Sequence, residues 1–328
     1  MTILSISRPI SPYPATNPER DRWIVERRPA RNTLDPQKPH LFFVEQESSA
    51  CGEILPVATI FLTNRECPWR CVMCDLWRNT LTTSVPHGAI PAQIDVALSQ
   101  LPAARALKLY NSGSFFDSGA IPVEDHPAIV ERANKFERLI VENHPALVND
   151  ACLRFQDRLK CRLEIAMGLE TVHPGVLAKL NKRMTLEQFS TAAAFLRAHA
   201  IDLRIFVLVQ PPFMRPREAV FWAQRSVDFA FDCGATAVTL IPTRGGNGAM
   251  ETLAASQQFS PPRLETLEAS VSYGLGLQRG RVFADLWDAE QIASCSVCQS
   301  PRLSRLYQMN LSQIYLAPVR CDSCTPAN

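Results

Sequence analysis

Short apolar runs alternate with amphipathic segments along most of this chain, and this alternation limits its possible folds more than any other feature. The first predicted strand is the segment 57–63 (VATIFLT), and the segment 90–101 has apolar residues at helical spacing. About six such strand–helix units follow one another, and the segment 174–200 is predicted to be a single helix. Apolar strands that alternate with helices predict an α/β fold with a parallel sheet covered by helices.

The number of strand–helix units restricts the possible architectures. A complete eight-unit barrel typically needs about 250 residues, which is more than these six units occupy. A partial barrel and an open doubly wound sheet both remain. In either case ligands bind at the C-terminal ends of the strands. The polar segments that follow the predicted strands are the cysteine loop after residue 63, NSGS, EN, GLET, QPP and PTRGGNG. We expect them to converge on one face.

Charge and hydropathy restrict the class of protein. Lys and Arg number 34 and Asp and Glu 32, a balance that argues against a broad nucleic-acid-binding surface but not against a local basic patch. An arginine-rich stretch at 20–32 (RDRWIVERRPARN) is typical of a solvated arm. The sequence has no apolar run of the ~20 residues that a membrane helix needs. Because residues 1–22 are also proline-rich and lack a signal-peptide core, we expect a soluble cytoplasmic protein.

Eleven cysteines in a reducing compartment indicate metal binding or catalysis rather than disulfides. Seven of them form two groups, one near residue 70 and one near the C-terminus. The other four are scattered, and each is expected to be a small buried apolar residue. These four are Cys51, Cys152, Cys161 and Cys233.

The first group is Cys67, Cys71 and Cys74, in the spacing C-x3-C-x2-C directly after the first predicted strand. Cubane iron–sulfur clusters are normally held by four cysteines, so three thiolates leave one iron open for a small chelating ligand. A zinc loop, or a structural cluster with another partner, is the alternative.

This loop resembles that of the radical S-adenosylmethionine (SAM) superfamily. The segment 57–250 most resembles the radical SAM subunit of archaeosine synthase, in the tRNA-modifying branch, and its bacterial relatives. The motifs that carry the resemblance are CPWRCVMCDLWR, KLYNSGSFFD, MGLET, LNKRMT and the paired C-terminal cysteines. Many members have an aromatic residue where this chain has Met73.

The resemblance implies a partial (β/α)6 TIM-like barrel with a 4Fe-4S cluster and SAM as cofactors. Reductive cleavage of SAM would yield a 5′-deoxyadenosyl radical that abstracts hydrogen from the substrate. It also implies a reducing partner such as flavodoxin or ferredoxin. In the archaeal family the substrate is a lysine-adducted 7-deazaguanine in tRNA, and a carbon–nitrogen bond is cleaved.

The same resemblance implies contacts to SAM. Ser112, Gly113 and Ser114 occupy the turn that holds the methionyl amino group, although the usual acidic member of that turn is absent. Glu170 occupies the position that contacts the ribose, and Lys182 the position that pairs with the SAM carboxylate. The alternatives are an acid at a helix N-terminus and an exposed helical lysine.

Glu142 and Asn143 end the third predicted strand and are the candidates for facing the substrate as catalytic residues. A solvated loop is the equal alternative. The loop TRGGNG is a weak candidate for approaching adenine or an anion through its backbone N–H groups.

The second group pairs two C-x2-C motifs, separated by 22 residues. Four thiolates in this arrangement predict a closed structural zinc site, and an auxiliary iron–sulfur cluster is the alternative. The four residues are Cys295, Cys298, Cys321 and Cys324. We therefore divide the chain into an N-terminal extended arm with little core (1–52), a radical SAM barrel (53–285) and a four-cysteine extension (286–328).

Three functions remain open from the sequence. The first is a radical SAM enzyme acting on a modified 7-deazaguanine nucleoside or tRNA base. The second is a radical SAM enzyme of small-molecule or natural-product biosynthesis. The third is a non-catalytic metal-binding scaffold subunit.

Overall fold

One eight-stranded sheet organises the structure, a computed structural model that describes residues 11–324. Residues 1–10 and 325–328, the outer ends of the expected arm and extension, lie outside the described residues. The strands are β1 (Leu41–Ser48), β2 (Ile54–Phe61), β3 (Ala106–Tyr110), β4 (Arg138–Glu142), β5 (Arg162–Glu170), β6 (Asp202–Val209), β7 (Ala237–Pro242) and β8 (Arg281–Ala284).

The strands lie side by side in the order of the sequence. β1 is antiparallel to β2, and every later pair is parallel. The α-helices are α1 (Asn17–Glu26), α2 (Ala89–Leu98), α3 (His126–Ala133), α4 (Asp150–Gln156), α5 (Pro174–Leu177), α6 (Leu186–Ala198), α7 (Ala219–Asp232), α8 (Ala249–Ala255), α9 (Leu264–Gly276) and α10 (Gln299–Ser312). Short 3-10 turns occur at Leu76–Asn79, Val123–Asp125, Pro145–Leu147, Pro216–Glu218 and Ala289–Ile292.

The sheet curls into a partial barrel, which confirms the predicted fold class. Glu47 lies on β1 and Arg281 on β8, the two opposite edges of the sheet, yet Arg281 Nη1 lies 3.5 Å from Glu47 Oε1. A flat sheet would hold these side chains several strands apart, at about 4.8 Å per strand. Their contact therefore shows that the sheet is strongly curved.

Buried charges fill the barrel at the N-terminal end of the parallel strands. Glu164 is fully buried on β5, and its carboxylate accepts hydrogen bonds from Arg204 Nε at 2.6 Å and Arg281 Nη2 at 3.0 Å. Four carboxylates face four cations, so the buried charge is balanced. The members of this floor network are Glu45, Glu47, Lys108, Arg138, Glu164, Asp202, Arg204 and Arg281.

Helix α10 covers the open seam between β8 and β1, and contacts both strands. The Asn310 amide accepts from the N–H of Ala284 at 2.7 Å and donates to its carbonyl at 2.9 Å. Gln313 makes the same pair of bonds with Val282, at 2.7 and 3.1 Å. Two side-chain amides thus take the place of a neighbouring strand along the edge of β8, where unpaired backbone groups would otherwise invite association with another chain.

The segment 1–52 is not an extended arm in the part that the structure describes. Trp23 and Ile24 of α1 are buried in a second apolar core together with Val72 of the cysteine loop. Residues 41–48 form β1, so they belong to the main sheet. The predicted arm was wrong in this respect because burial of Trp23 and Ile24 depends on the cysteine loop, a partner distant in sequence.

Two further expectations differ from the structure. The segment 174–200 was expected to be one helix, but it is divided into α5 and α6 by Asn181 and Arg183, which have φ values of 58° and 57°. Cys51 was expected to be buried, but it is exposed in the turn between β1 and β2. Cys152 is buried as expected, and Cys161 and Cys233 pack against the main core.

Glu164→Gln tests the floor network, because it removes the charge and preserves the shape of the side chain. Loss of one partner leaves buried guanidinium groups uncompensated, so we expect a loss of about 3–5 kcal/mol in the free energy of unfolding. Urea unfolding measures it. The control is Glu137→Gln, an exposed carboxylate paired with Arg105, which should change the unfolding midpoint little.

The pH dependence of stability provides a second readout. Burial alone would raise the pKa of Glu164, but the Arg204 and Arg281 guanidinium groups lower it from 4.5 to about 2. Its stabilisation is therefore complete above the unfolded pKa and is lost as the pH falls from about 4.5 towards 2. Glu164→Gln should show a smaller loss of stability over this interval than the wild type. An equal loss in both proteins would contradict this role.

Candidate active site

The cysteine loop follows β2 at the C-terminal edge of the sheet, and it is fixed by hydrogen bonds from distant segments. Val72 N–H donates to the carbonyl of Leu180 at 3.0 Å. The amide nitrogen of Asn247, in the loop after β7, donates to the carbonyls of Val72 at 2.8 Å and Cys74 at 3.0 Å. These bonds fix the backbone of the loop at Val72 and at Cys74.

The N-terminal arginines also hold this loop. Glu66, next to Cys67, accepts a hydrogen bond from Arg28 at 2.7 Å and pairs with Arg31 and with Arg70 at 3.0 Å. Burial would raise the pKa of Glu66, but the hydrogen bonds from Arg28 and Arg31 keep it below its usual value. The expectation that the arginine-rich stretch is a solvated arm was therefore wrong for Arg28 and Arg31.

The three thiols are free and half-buried, and their surroundings suit a metal centre. Burial raises the pKa of Cys67, Cys71 and Cys74 to about 12 each. A buried thiol gives up its proton when a metal ion compensates the charge of the thiolate. Gly113 lies against Cys67, because a Cβ on Gly113 would come within 3.2 Å of the Cys67 Cβ. The absence of a side chain there leaves room beside the thiols.

The ammonium group of Lys182 lies among the thiols and carboxylates at this edge of the sheet. Its ammonium is close enough to Cys67, Cys71 and Glu142 to lower the pKa of each. It is buried and donates to Glu170 Oε1 at 2.6 Å. The alternative that Lys182 is an exposed helical lysine is therefore wrong, since it lies between α5 and α6 rather than within a helix.

Local backbone conformation explains how Glu170 and Lys182 meet. Glu170 has φ of 65° at a bulge in the pairing of β5 with β6, and this turns its side chain towards Lys182. Gly168 has no side chain where the ion pair lies, and a Cβ there would collide with both charged groups. The segment GLET thus combines a residue with positive φ and a glycine whose missing side chain leaves space for the ion pair.

The turn 111–114 is held by the neighbouring strand. Glu142 Oε1 accepts from the backbone N–H groups of Asn111 at 2.6 Å and Gly113 at 3.3 Å. Burial raises the pKa of Glu142 to about 7, although these backbone hydrogen bonds oppose the rise. Ser114 Oγ accepts from the N–H of His144 at 3.0 Å, so its hydroxyl is already engaged within the protein.

Asn143, the second candidate for facing the substrate, is buried and bonded internally. Its Oδ1 accepts from the N–H of Phe116 at 3.4 Å, and its Nδ2 donates to the carbonyl of His144 at 3.2 Å. The structure therefore brings Glu142 to the edge with Lys182 and the thiols, whereas the amide of Asn143 joins two loops. Neither residue lies in a solvated loop.

His144 and Trp69 are neighbours of the thiols that the sequence did not single out. Their rings stack at 3.8 Å with an angle of 13° between planes. His144 Nδ1 accepts from Ala146 N–H at 3.1 Å, so Nε2 carries the proton that is donated to the Lys182 carbonyl, also at 3.1 Å. Burial lowers the pKa of His144 to about 3, so the ring is neutral and locks the backbone of Lys182.

The four C-terminal cysteines come together in space, although 22 residues separate the two pairs in sequence. Their Sγ atoms all lie within 4.8 Å of one another, with Cys298 and Cys324 at 3.5 Å and Cys295 and Cys321 at 3.9 Å. Four thiolates on one tetrahedral zinc, with bonds of about 2.3 Å, would lie about 3.8 Å apart. Cys298 directly precedes α10, so this site anchors the helix that covers the barrel seam.

Comparison with known proteins gives three informative likenesses, although no protein-family model matches the chain. The chain is 23% identical over 250 residues to an uncharacterized protein of Methanocaldococcus jannaschii, covering 71% of this chain and 68% of that protein. It is 26% identical over 222 residues to archaeosine synthase subunit beta of Methanosarcina acetivorans, covering 63% of each. The archaeal Elp3 of Methanocaldococcus infernus superimposes with a TM-score of 0.50 at 13% identity, over 67% of this chain and 59% of that one.

These curated relatives agree with the family resemblance that the cysteine motif carries, and the likeness to the archaeal Elp3 shows the fold. The resemblance to archaeosine synthase subunit beta is also confirmed, since relatives of that name occur in two archaea, Methanosarcina acetivorans and Thermococcus kodakarensis. The chain spans 63% and 51% of the lengths of these two relatives. Within residues 11–324, every helix is too short or too polar to cross a lipid bilayer.

Asn247 is a further residue of this edge that the sequence did not single out, because its loop was considered only for its backbone N–H groups. Its Oδ1 accepts from the N–H of Met250 at 2.9 Å at the start of α8, and an Asn at a helix start is a recognisable signal. Its donor role towards Val72 and Cys74 has no sequence signal, because those residues lie more than 170 positions away.

Asn247→Ala should loosen the cysteine loop, because two carbonyls lose their donor and the Met250 N–H in the first turn of α8 loses its acceptor. We expect faster amide hydrogen exchange across residues 67–78, measured by mass spectrometry. Asn247→Asp preserves the acceptor for α8 and removes the donor, so it should loosen the cysteine loop without loosening α8. Asn149→Ala, which removes the cap of the remote α4, is the matched control and should leave residues 67–78 unchanged. Unchanged exchange in both Asn247 variants would contradict the role.

Proposed function

We propose that this chain is a radical SAM enzyme whose 4Fe-4S cluster is held by Cys67, Cys71 and Cys74. One observation carries the proposal: three half-buried thiols share the C-terminal edge of a partial barrel with a buried lysine, Lys182, that acts electrostatically on two of them. A structural zinc loop would require a fourth protein ligand. Among the described residues, the only group of metal-binding side chains in close contact is the separate C-terminal set.

The residues around the thiols fit the parts of SAM. Lys182 has three N–H donors and uses one of them for Glu170, so it can also pair with the methionyl carboxylate. The turn Ser112–Ser114 offers backbone groups to the amino group, and Glu170 offers a carboxylate to the ribose. The cluster and SAM together supply a 5′-deoxyadenosyl radical. The protein's part is to hold SAM in one orientation and to keep water away, for which the buried surroundings of Lys182 are suited.

We propose a modified 7-deazaguanine, as a nucleoside or as a tRNA base, as the substrate and carbon–nitrogen bond cleavage as the reaction. The names of the relatives in two archaea support this assignment. The formal net charge of +2 favours the nucleoside, or a tRNA presented by a partner subunit, because an enzyme that binds tRNA alone usually has a basic surface.

We propose zinc for the C-terminal site. A single ion holds four thiolates closer together than a cubane cluster, whose cysteines bind four different irons, and the thiols in this structure have the closer spacing. Zinc would clamp the N-terminus of α10 to the segment at 321–324, and so maintain the cover over the barrel seam.

Elemental analysis separates the two metal sites. We expect one zinc per chain in protein purified without oxygen, retained in the triple variant Cys67→Ala, Cys71→Ala and Cys74→Ala. The double variant Cys295→Ser and Cys298→Ser should lose zinc and unfold at a lower temperature. Iron at the C-terminal site in the triple variant, with visible absorption, would instead establish an auxiliary cluster.

Anaerobic turnover tests the activity. The protein is reconstituted with iron and sulfide, reduced with dithionite and given SAM, and 5′-deoxyadenosine is measured by mass spectrometry. We expect product from the wild type and none from Cys71→Ala, with Cys161→Ala as a control that removes a thiol remote from both metal sites. Absence of product from wild type with an intact cluster would support a non-catalytic scaffold.

The substrate is tested in the same assay. A 7-deazaguanine nucleoside and a tRNA that carries the base should each be compared for stimulation of 5′-deoxyadenosine formation. Stimulation by neither, with SAM cleavage intact, would favour an enzyme of small-molecule biosynthesis.

A further inference from the structure

The barrel lumen contains a layer of aromatic side chains between the floor network and the C-terminal edge of the parallel strands. Side chains alternate between the two faces of a strand, so residues two positions apart point the same way. Phe43, Tyr110 and Phe206 each lie two positions from a charged member of the floor network, on β1, β3 and β6. Phe61 lies two positions after Thr59, whose hydroxyl donates to a carboxylate of that network at 2.6 Å. The four rings therefore point into the lumen.

These four rings form a continuous aromatic layer that water still reaches. The ring centroids of Phe43 and Phe61 are 6.1 Å apart, and those of Phe61 and Tyr110 are 5.8 Å apart. Tyr110 also meets Phe206 at 6.2 Å, although β4 and β5 separate their strands in the sheet. All four rings remain partly exposed. An apolar, partly solvated surface inside the mouth of a barrel is typical of a ligand site.

Trp287, in the segment after β8, extends the aromatic layer at the seam between β8 and β1. Its ring lies nearly parallel to that of Phe43, with the centroids 6.4 Å apart and an angle of 21° between planes. The Trp287 N–H donates to Asp285 Oδ1 at 3.0 Å, and Asp285 is paired with Arg244. The backbone of Trp287 is thus anchored, whereas 54% of the residue is exposed.

The nearly parallel rings of Phe43 and Trp287 suit a flat ligand. We propose that these two residues form a stacking platform that holds the planar base of the substrate. Aromatic side chains bind nucleic-acid bases in this way because every base has a π-face. This inference rests on the proposed function and assigns residues that recognise its substrate.

The platform lies beside the candidate active site. Tyr110 of the aromatic layer directly precedes the turn 111–114. On the other side, Asp75 directly follows the last cysteine of the loop, and it lies within electrostatic reach of Asp288, the residue after Trp287. A base held on the platform therefore lies in the same end of the barrel as the three thiols.

The charged groups beside the platform are already paired within the protein. Glu45, on the same face of β1 as Phe43, lies 2.8 Å from Lys108 Nζ. Asp285 is paired with Arg244. The rings therefore provide the contact surface without an unpaired charge from either carboxylate, which favours an uncharged heteroaromatic ring over an anion or a cation as the ligand.

Titration with 7-deazaguanosine tests the platform through the fluorescence of Trp287. The nucleoside is added to reconstituted protein with the cluster oxidised and SAM present, so that no turnover occurs, and affinity is measured in parallel by calorimetry. A base stacked on Trp287 quenches its emission. We expect quenching in the wild type and its loss in Trp287→Phe, which keeps an aromatic ring and should retain most of the affinity.

The alanine variants measure the contribution of stacking. Trp287→Ala and Phe43→Ala should each bind 7-deazaguanosine roughly 5- to 150-fold more weakly than the wild type. Their SAM cleavage in the absence of nucleoside should be unchanged. Phe221→Ala is the matched control, because Phe221 is 55% exposed on α7, outside the barrel. Its quenching and affinity should equal those of the wild type.

The outcomes separate this proposal from the one on which it rests. Equal quenching in the wild type and Trp287→Phe would place the base beside another tryptophan and overturn the platform. Unchanged affinity in both alanine variants, or no nucleoside binding by the wild type, would overturn it as well. Absence of 5′-deoxyadenosine from the wild type with an intact cluster would instead overturn the proposed enzyme, and the titration would still show whether Trp287 binds a base.

Discussion

The ionic network across the barrel floor is the interaction on which the rest of the structure depends. It joins β1 to β8 through Glu47 and Arg281, and so holds the curvature of a sheet whose edge strands are not paired with each other. Buried ion pairs gain little stability over apolar packing, but their fixed partners specify one geometry strongly. Here that geometry is the radius of the barrel, which determines where the strand ends meet.

The functional edge lies at the opposite end of the same strands, and its charges are few. Lys182 is the shared element: it lies within electrostatic reach of two of the thiols, of Glu142 and of His144, and it is paired with Glu170. In the floor, opposite charges neutralise each other almost completely. At the functional edge, the hydrogen bonds within the protein use only one of the three N–H donors of Lys182 and one oxygen of Glu142, so both side chains keep capacity for a ligand.

The chemistry of the cysteine loop could be predicted from the sequence, but the contacts that hold the loop in place could not. The spacing of Cys67, Cys71 and Cys74 is local, so it could be interpreted without a structure. The groups that hold the loop come from the segment after α1, from the segment after α5 and from the loop after β7. Arg28 and Asn247 are ordinary polar residues in their own neighbourhoods, and their roles arise only from contacts across the fold.

The prediction of secondary structure succeeded and failed for related reasons. The parallel strands were predictable, since strands buried on both faces are continuous apolar runs. Strand β1 was missed because its inward face carries Glu45 and Glu47, which belong to the floor network and interrupt the apolar pattern. The break between α5 and α6 was missed because the helical pattern continues through Asn181, and only the burial of Lys182 against Glu170 requires the chain to turn there.

By itself, the sequence determined the alternation of strands and helices, the two sets of cysteines and the resemblance to radical SAM proteins. All three are short-range patterns, which can be recognised from the spacing of residues along the chain. The tertiary structure decided how far the sheet curls, which side chains hold the cysteine loop and how Glu142 and Lys182 face the same edge. These features depend on contacts between residues up to more than 200 positions apart. Buried charges need partners, and the local sequence does not indicate which distant residue pairs with each of them.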